Sequence, residues 1–128
     1  MNRFCLLSGS IFGALAVILG AFAAHGLEKL ISLDAQQTFE TGVRYQMYHA
    51  LFLLLIGQMG GLSKKVKRQM SVLVIIGTMM FSGSIYLLAT NALTNFDFRA
   101  IGFVTPIGGS LLIVAWIILG IRIFKMKA

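Results

Sequence analysis

Acidic residues are the scarcest class of charge in this chain: four, against eleven lysines and arginines, in 128 residues. None of the four, Glu28, Asp34, Glu40 and Asp97, falls inside an apolar run, so the membrane-embedded acid expected of a proton-coupled exporter of the four-helix multidrug type is missing. Cysteine occurs once, at Cys5, which excludes an intramolecular disulfide and leaves no second sulfur for a thiolate metal site. Charged residues of both signs make up 12% of the chain, against 58% hydrophobic residues and a mean hydropathy of +0.88. A soluble domain of this length is never so apolar, and the class that remains is integral membrane, residues 1–128 forming a single transmembrane domain. The net charge of +7 would suggest nucleic acid in a soluble protein. Here the cations flank apolar spans and no aromatic-basic recognition module occurs, so the expected counter-charge is the anionic headgroups of membrane lipids, with no nucleic-acid partner. Nucleophile elbow, P-loop, dinucleotide fingerprint and HExxH are all missing, and no cofactor is implied.

What is present is a set of long apolar runs. Phe4 to Ala24 carries no charge over about 20 residues, enough for a helix to cross a hydrocarbon core. A signal peptide competes, because Arg3 precedes the run and Ala21-Phe22-Ala23 has the form of a cleavage site, but the run exceeds a usual signal core. Gly9, Gly13, Ala16 and Gly20 recur at three- and four-residue spacing, a small-residue face suited to close helix packing and a surface that a second copy of the chain could also use. The first loop holds Glu28, Lys29, Asp34 and Glu40, so an interfacial helix is expected there, starting near Ala35 behind an Asp34–Gln37 capping box and running, with a bend at Gly42, into the second span. The spans are placed at about 4–24, 45–61, 70–89 and 101–124. Ser82-Gly83-Ser84, inside the third, reads as small residues for helix contact with hydroxyls bonded back to the preceding turn. Pro106 admits two readings: a kink in a helix already under way, or the first residue of the last span with Thr105 as its cap.

Four spans sort the charges. Arg3, Lys64, Lys65, Lys67, Arg68, Arg122, Lys125 and Lys127 share one side, eight cations with no acid, while Lys29, Arg44 and Arg99 share the other with all four acids. The positive-inside rule then puts both termini in the cytoplasm of a multi-pass cell-membrane protein. On the outer side this topology brings His25 to Arg44, Tyr45, Gln46, Tyr48 and His49, with Asp97 and Arg99 arriving from the third loop. Thr41, Tyr45 and His49 share one helix face and Glu40, Arg44 and Tyr48 a neighbouring one, so Glu40 and Arg44 can pair. Two readings of the cluster stand side by side. In one, His25, Arg44, Tyr45, Gln46, Tyr48 and His49 form a ligand-binding pocket, Arg44 gripping an anionic group and the histidines acting as proton carriers or ligands. In the other they satisfy helix ends and lock the bundle. A metal site has no recognisable ligand spacing behind it, with two histidines 24 residues apart and acids only in loops.

At Gly20-Ala21-Phe22-Ala23-Ala24-His25-Gly26-Leu27, Thr41 through Ala50, Phe81-Ser82-Gly83-Ser84-Ile85-Tyr86 and Thr105-Pro106-Ile107-Gly108-Gly109, the sequence resembles a bacterial membrane family of unknown function, the YgdD and YwdK-like proteins of domain of unknown function 423. The resemblance covers nearly the whole chain and implies four transmembrane helices. It implies no activity. The expectation is therefore an all-α integral membrane bundle serving as a binding or assembly module for a membrane lipid, a quinone-like molecule or a partner membrane protein, with an oligomeric small channel or carrier as the alternative and a histidine-dependent membrane enzyme behind both.

Overall fold

The computed structural model describes residues 1–127, which form four long helices and, among the described residues, no strand. Helix α1 runs Arg3–His25, α2 Leu33–Gln58, α3 Lys64–Ala89 and α4 Val104–Lys125, with short 3-10 turns at Asn91–Leu93 and Phe98–Ile101 between the last two. Three starts are capped by polar side chains that satisfy a free backbone N–H. Asn2 accepts from Cys5 N, Ser32 from Ala35 N and Ser63 from Val66 N. The capping box expected at Asp34 is not used, because Ser32, two residues earlier, already accepts the N–H of Ala35.

The expected helix of the first loop is the first half of α2, which is continuous through Gly42. No bend is needed there, since the missing side chain at Gly42 lets the Tyr86 ring of α3 come within 2.7 Å of where a Cβ would stand. Neither reading of Pro106 is met as stated. Helix α4 begins two residues earlier, after Phe103, so Pro106 sits in its first turn, where the missing N–H had no intrahelical acceptor to lose. Thr105, no longer a cap, meets Ser84 of α3, hydroxyl to hydroxyl at 2.5 Å.

The helices pack in chain order, α1 on α2, α2 on α3 and α3 on α4, with α1 touching α3 only lightly. The small-residue face of α1 is consumed by the first of these interfaces. Gly9 lies under the Ala50 carbonyl, Gly13 against the Ala50 methyl and Gly20 against Val43, and Ala16 is buried. That stripe is therefore used within the chain, where it lets α1 and α2 approach closely. The α3–α4 crossing is as close: a Cβ on Gly108 would stand 2.5 Å from Phe81 N and 2.9 Å from the Gly77 carbonyl. The main core, Cys5, Phe52, Leu53, Ile56, Met70, Val74, Leu112 and Ala115 among others, joins all four helices.

Helices α1, α3 and the Phe98–Lys125 segment are long and apolar enough to cross a membrane, whereas α2 carries Asp34, Glu40 and Arg44 in its first half. The outward faces of α1 and α4 present Leu7, Ile11, Leu15 and Ile18, and Ile113, Trp116, Ile117 and Ile121, with nothing from the chain covering them. Water does not tolerate apolar faces of that size, and lipid does. The protein is a multi-pass membrane protein.

Candidate functional site

The six residues expected at one outer cluster divide into two that are buried and four that are exposed. Across the α1–α2 interface Gly13 meets Ala50 and Gly20 meets Val43, which puts His25 level with about residue 38 of α2, roughly 16 Å of helix from His49. His25 is exposed at the end of α1 and does not share a site with His49. Arg44 and Tyr48 are exposed on α2, and Tyr45, partly exposed, packs its ring on Phe81 of α3. Arg44 does not pair with Glu40; among the described residues the ion pair is Arg99–Asp97, at 2.9 Å. That pair lies in the third connection, where Asp97 also accepts from Arg99 N and Asn91, and the hydrogen bond from Arg99 holds its carboxyl down at about 2.

His49 is 3% exposed and both ring nitrogens are occupied. Its Nδ1 lies 2.6 Å from the Tyr45 carbonyl one turn earlier, and the indole N–H of Trp116 in α4 donates to Nε2 at 3.1 Å. A carbonyl can only accept and an indole only donate, so the proton sits on Nδ1 and neither nitrogen is left for a substrate. Trp116 also packs edge-on against Phe52. His49 thus ties α2 to α4.

Gln46, 6% exposed, does the same for α1 and α3. Its Nε2 donates to the Phe12 carbonyl of α1 at 2.9 Å and its Oε1 accepts from the Tyr86 hydroxyl of α3 at 2.7 Å. One turn before Gln46, the Gly42 carbonyl accepts from the Ser82 hydroxyl at 2.7 Å. The back-bonding expected of the serines holds for Ser84, which donates to Phe81 O, and fails for Ser82, whose hydroxyl crosses to another helix.

These residues floor a cleft of about 270 Å³ between α1 and α3, walled by Phe12, Leu15, Leu19 and Met79. Thr78 lines it too, and its hydroxyl, in a residue 3% exposed, is the buried side-chain oxygen or nitrogen without a partner among the described residues. Such a group is expensive to leave unpaired in an apolar surround. Thr78, Ser82 and Tyr86 follow one another at four-residue spacing on α3. That spacing was a readable polar stripe on an apolar helix, and reading Ser82-Gly83-Ser84 only as a packing motif passed over it. Lys67, 5% exposed, and Ser71 are further buried polar groups that pattern reading missed; the neighbours Lys64, Lys65 and Arg68 make Lys67 look like part of a solvated turn. Metal-binding groups of three or more His, Cys, Asp or Glu do not occur among the described residues.

Comparison with known proteins places these features in a wider set. A family profile described as "Protein of unknown function (DUF423)" matches residues 19–109. A UPF0382 membrane protein of Staphylococcus saprophyticus is 41% identical over 98% of this chain and 100% of its own length. The UPF0382 membrane protein YwdK of Bacillus subtilis is 38% identical over 98% of both chains, and the UPF0382 inner membrane protein YgdD of Escherichia coli 34% identical over 98% of this chain and 93% of its own. No solved structure matches.

Proposed function

The chain belongs to the DUF423 family of UPF0382 membrane proteins, and from that premise we propose that it is a four-span binding module, both termini cytoplasmic, whose α1–α3 cleft receives a lipid-like molecule from the bilayer. The orientation rests on the eight cations without an acid on the side of Lys64–Arg68. The fourth span is α2, whose apolar stretch begins at Tyr45 and whose polar first turns, from Leu33 to Glu40, lie towards the outer boundary.

One observation carries the binding reading: the hydroxyl of Thr78, unpaired among the described residues, lines the same cleft as Gln46, whose amide has one N–H on Phe12 O and, among those residues, no partner for the second. Two donors at the floor of an apolar cleft suit an apolar molecule bearing a carbonyl oxygen, such as the ester of a glycerolipid or a quinone-like ring. Thr78→Val tests this, because it keeps the shape and removes only the hydroxyl. Native mass spectrometry of the detergent-extracted protein is expected to find a bound apolar molecule on the wild type and none on Thr78→Val. If the adduct is equal on both, or is found on neither while Thr78→Val melts at the same or higher temperature, the hydroxyl serves no ligand and the reading fails.

A second reading, an oligomeric channel or carrier, draws on Arg44, Tyr45 and Tyr48. Ser82, bonded to Gly42, lies seven residues before the end of α3, so exposed Arg44 stands roughly 13 Å below that end. A cation at that depth is expected to find a partner, and a second copy is one source. The same mass spectra report the oligomeric state. Of the two histidines the enzyme reading draws on, His49 is fully bonded, which leaves it only the exposed His25.

A further inference from the structure

The end of the molecule where α1 and α3 begin carries a cavity of about 980 Å³ between the start of α1 and the first turn of α3. Arg3, Lys64, Lys65, Lys67 and Arg68 line it, five cations, together with Phe4 and Leu62. Glu28, Asp34 and Glu40 lie around the other end of the bundle and Asp97 is paired with Arg99, so among the described residues none of the five cations has a carboxylate within bridging distance.

Cations that only obey the positive-inside rule fan out into water, and two of these do not. Lys67 is turned inward, 5% exposed, with Nζ donating to the Gly57 carbonyl at 3.1 Å, a carbonyl at the C-terminal end of α2 that also accepts Asn2 N at 2.9 Å. That bond uses one of the ammonium's three donors. Arg68 holds its guanidinium 4.5 Å over the Phe4 ring, which fixes a planar, forked donor at the rim of the cavity. The N-terminus of α3, capped by Ser63, adds its positive end to the same space. An apolar groove of about 410 Å³ starts at Arg68 and continues past Val72 and Ile76 of α3 to Leu111 of α4.

We infer that this cavity binds the phosphate group of an anionic phospholipid, with Lys67 and Arg68 as its principal donors and the Val72–Ile76 groove receiving an acyl chain. The shared chemistry is a phosphate, which a soluble phosphate could also supply. The groove leading away from Arg68 assigns it to a lipid, because a free phosphate has nothing to place there. The site shares no residue with the α1–α3 cleft, so either can fail alone.

The test uses the full chain, delipidated in dodecyl maltoside, with dioleoyl-phosphatidylglycerol, dioleoyl-phosphatidylcholine or inorganic phosphate added. Phosphatidylglycerol is expected to raise the melting temperature by several degrees and to stay bound in native mass spectra; phosphatidylcholine and inorganic phosphate are expected to do neither. Removing one exposed cation, as in Lys64→Gln or Arg68→Gln, is expected to weaken phosphatidylglycerol binding about fivefold. Lys67→Met removes the inward donor and is expected to weaken it at least as much; the exposed-site variants keep the test open if Lys67→Met folds poorly. Equal stabilisation by phosphatidylcholine, or unchanged phosphatidylglycerol affinity in Lys64→Gln and Arg68→Gln, would overturn the site. Equal stabilisation by inorganic phosphate would overturn the lipid assignment.

Discussion

The middle and outer half of the bundle and its cationic end treat polar groups in opposite ways. Around Gln46, polar atoms bond one another across three helices: Phe12 O, the Gln46 amide, Tyr86 and, one turn away, Ser82 on Gly42 O. Around Lys67 they are left with donors to spare and only a helix-end carbonyl as a partner. The difference follows from what surrounds each end. Inside an apolar stretch no solvent can complete a hydrogen bond, so the chain must close its own network or leave a costly gap, and the Thr78 hydroxyl is the buried side-chain atom left with no bond at all among the described residues. At a headgroup boundary the surroundings supply partners, so cations can remain open to them.

The comparison breaks most sharply at Gln46. Gln46→Leu strands the Tyr86 hydroxyl, and unfolding in mixed micelles is expected to show a loss of about 2 kcal/mol. Combined with Tyr86→Phe the two losses should fall short of additive, because both variants remove the same bond; strict additivity would mean that the network is not coupled. A smaller effect is expected at the other end. Lys67→Met replaces a buried charge by an apolar chain of similar length while Gly57 O keeps its bond from Asn2, so stability in neutral detergent should change by about 1 kcal/mol or less. A loss as large as that of Gln46→Leu would show that Lys67 belongs to a closed network too.

The smallest effect is expected in the third connection. The Asp97 carboxyl, held down at about 2 by its hydrogen bond from Arg99, is fully exposed. Its folded value is below its ordinary one, so its contribution is complete above about 4 and fades only as pH falls towards 2. The difference in melting temperature between wild type and Asp97→Asn should therefore stay constant from pH 7 down to pH 4.5, and a difference that changes within that window would contradict the pairing.

Much of the fold could be read in advance because helices in an apolar medium are dictated locally. The uncharged run after Arg3, the run after Gln69 and the run before Lys125 each lie within one long helix, the second of which already starts at Lys64. Capping was harder to read. Ser32 and Asp34 both offer a cap, and only the position of the first turn selects between them. The candidate site was legible in part: Gln46 and His49 were picked out as polar groups at the edge of an apolar run, and both proved buried. His25 was joined to them on the assumption that the first and second helices exchange sides exactly where their apolar runs end. In the folded chain α2 begins at Leu33, so its polar first half runs beside the end of α1 and carries His49 some 16 Å away from His25.

The chain's composition and its apolar runs determined by themselves that this is a membrane protein of long helices, because hydropathy and backbone satisfaction act through the composition of each segment and need no knowledge of its neighbours. Only the tertiary structure decided which polar groups are closed and which are open. That depends on the register of one helix against the next, set where Gly9, Gly20 and Gly108 allow backbones to meet, and such a register brings together Phe12, Gln46 and Tyr86, or Lys67 and Gly57, from positions whose spacing along the chain carries no sign of it.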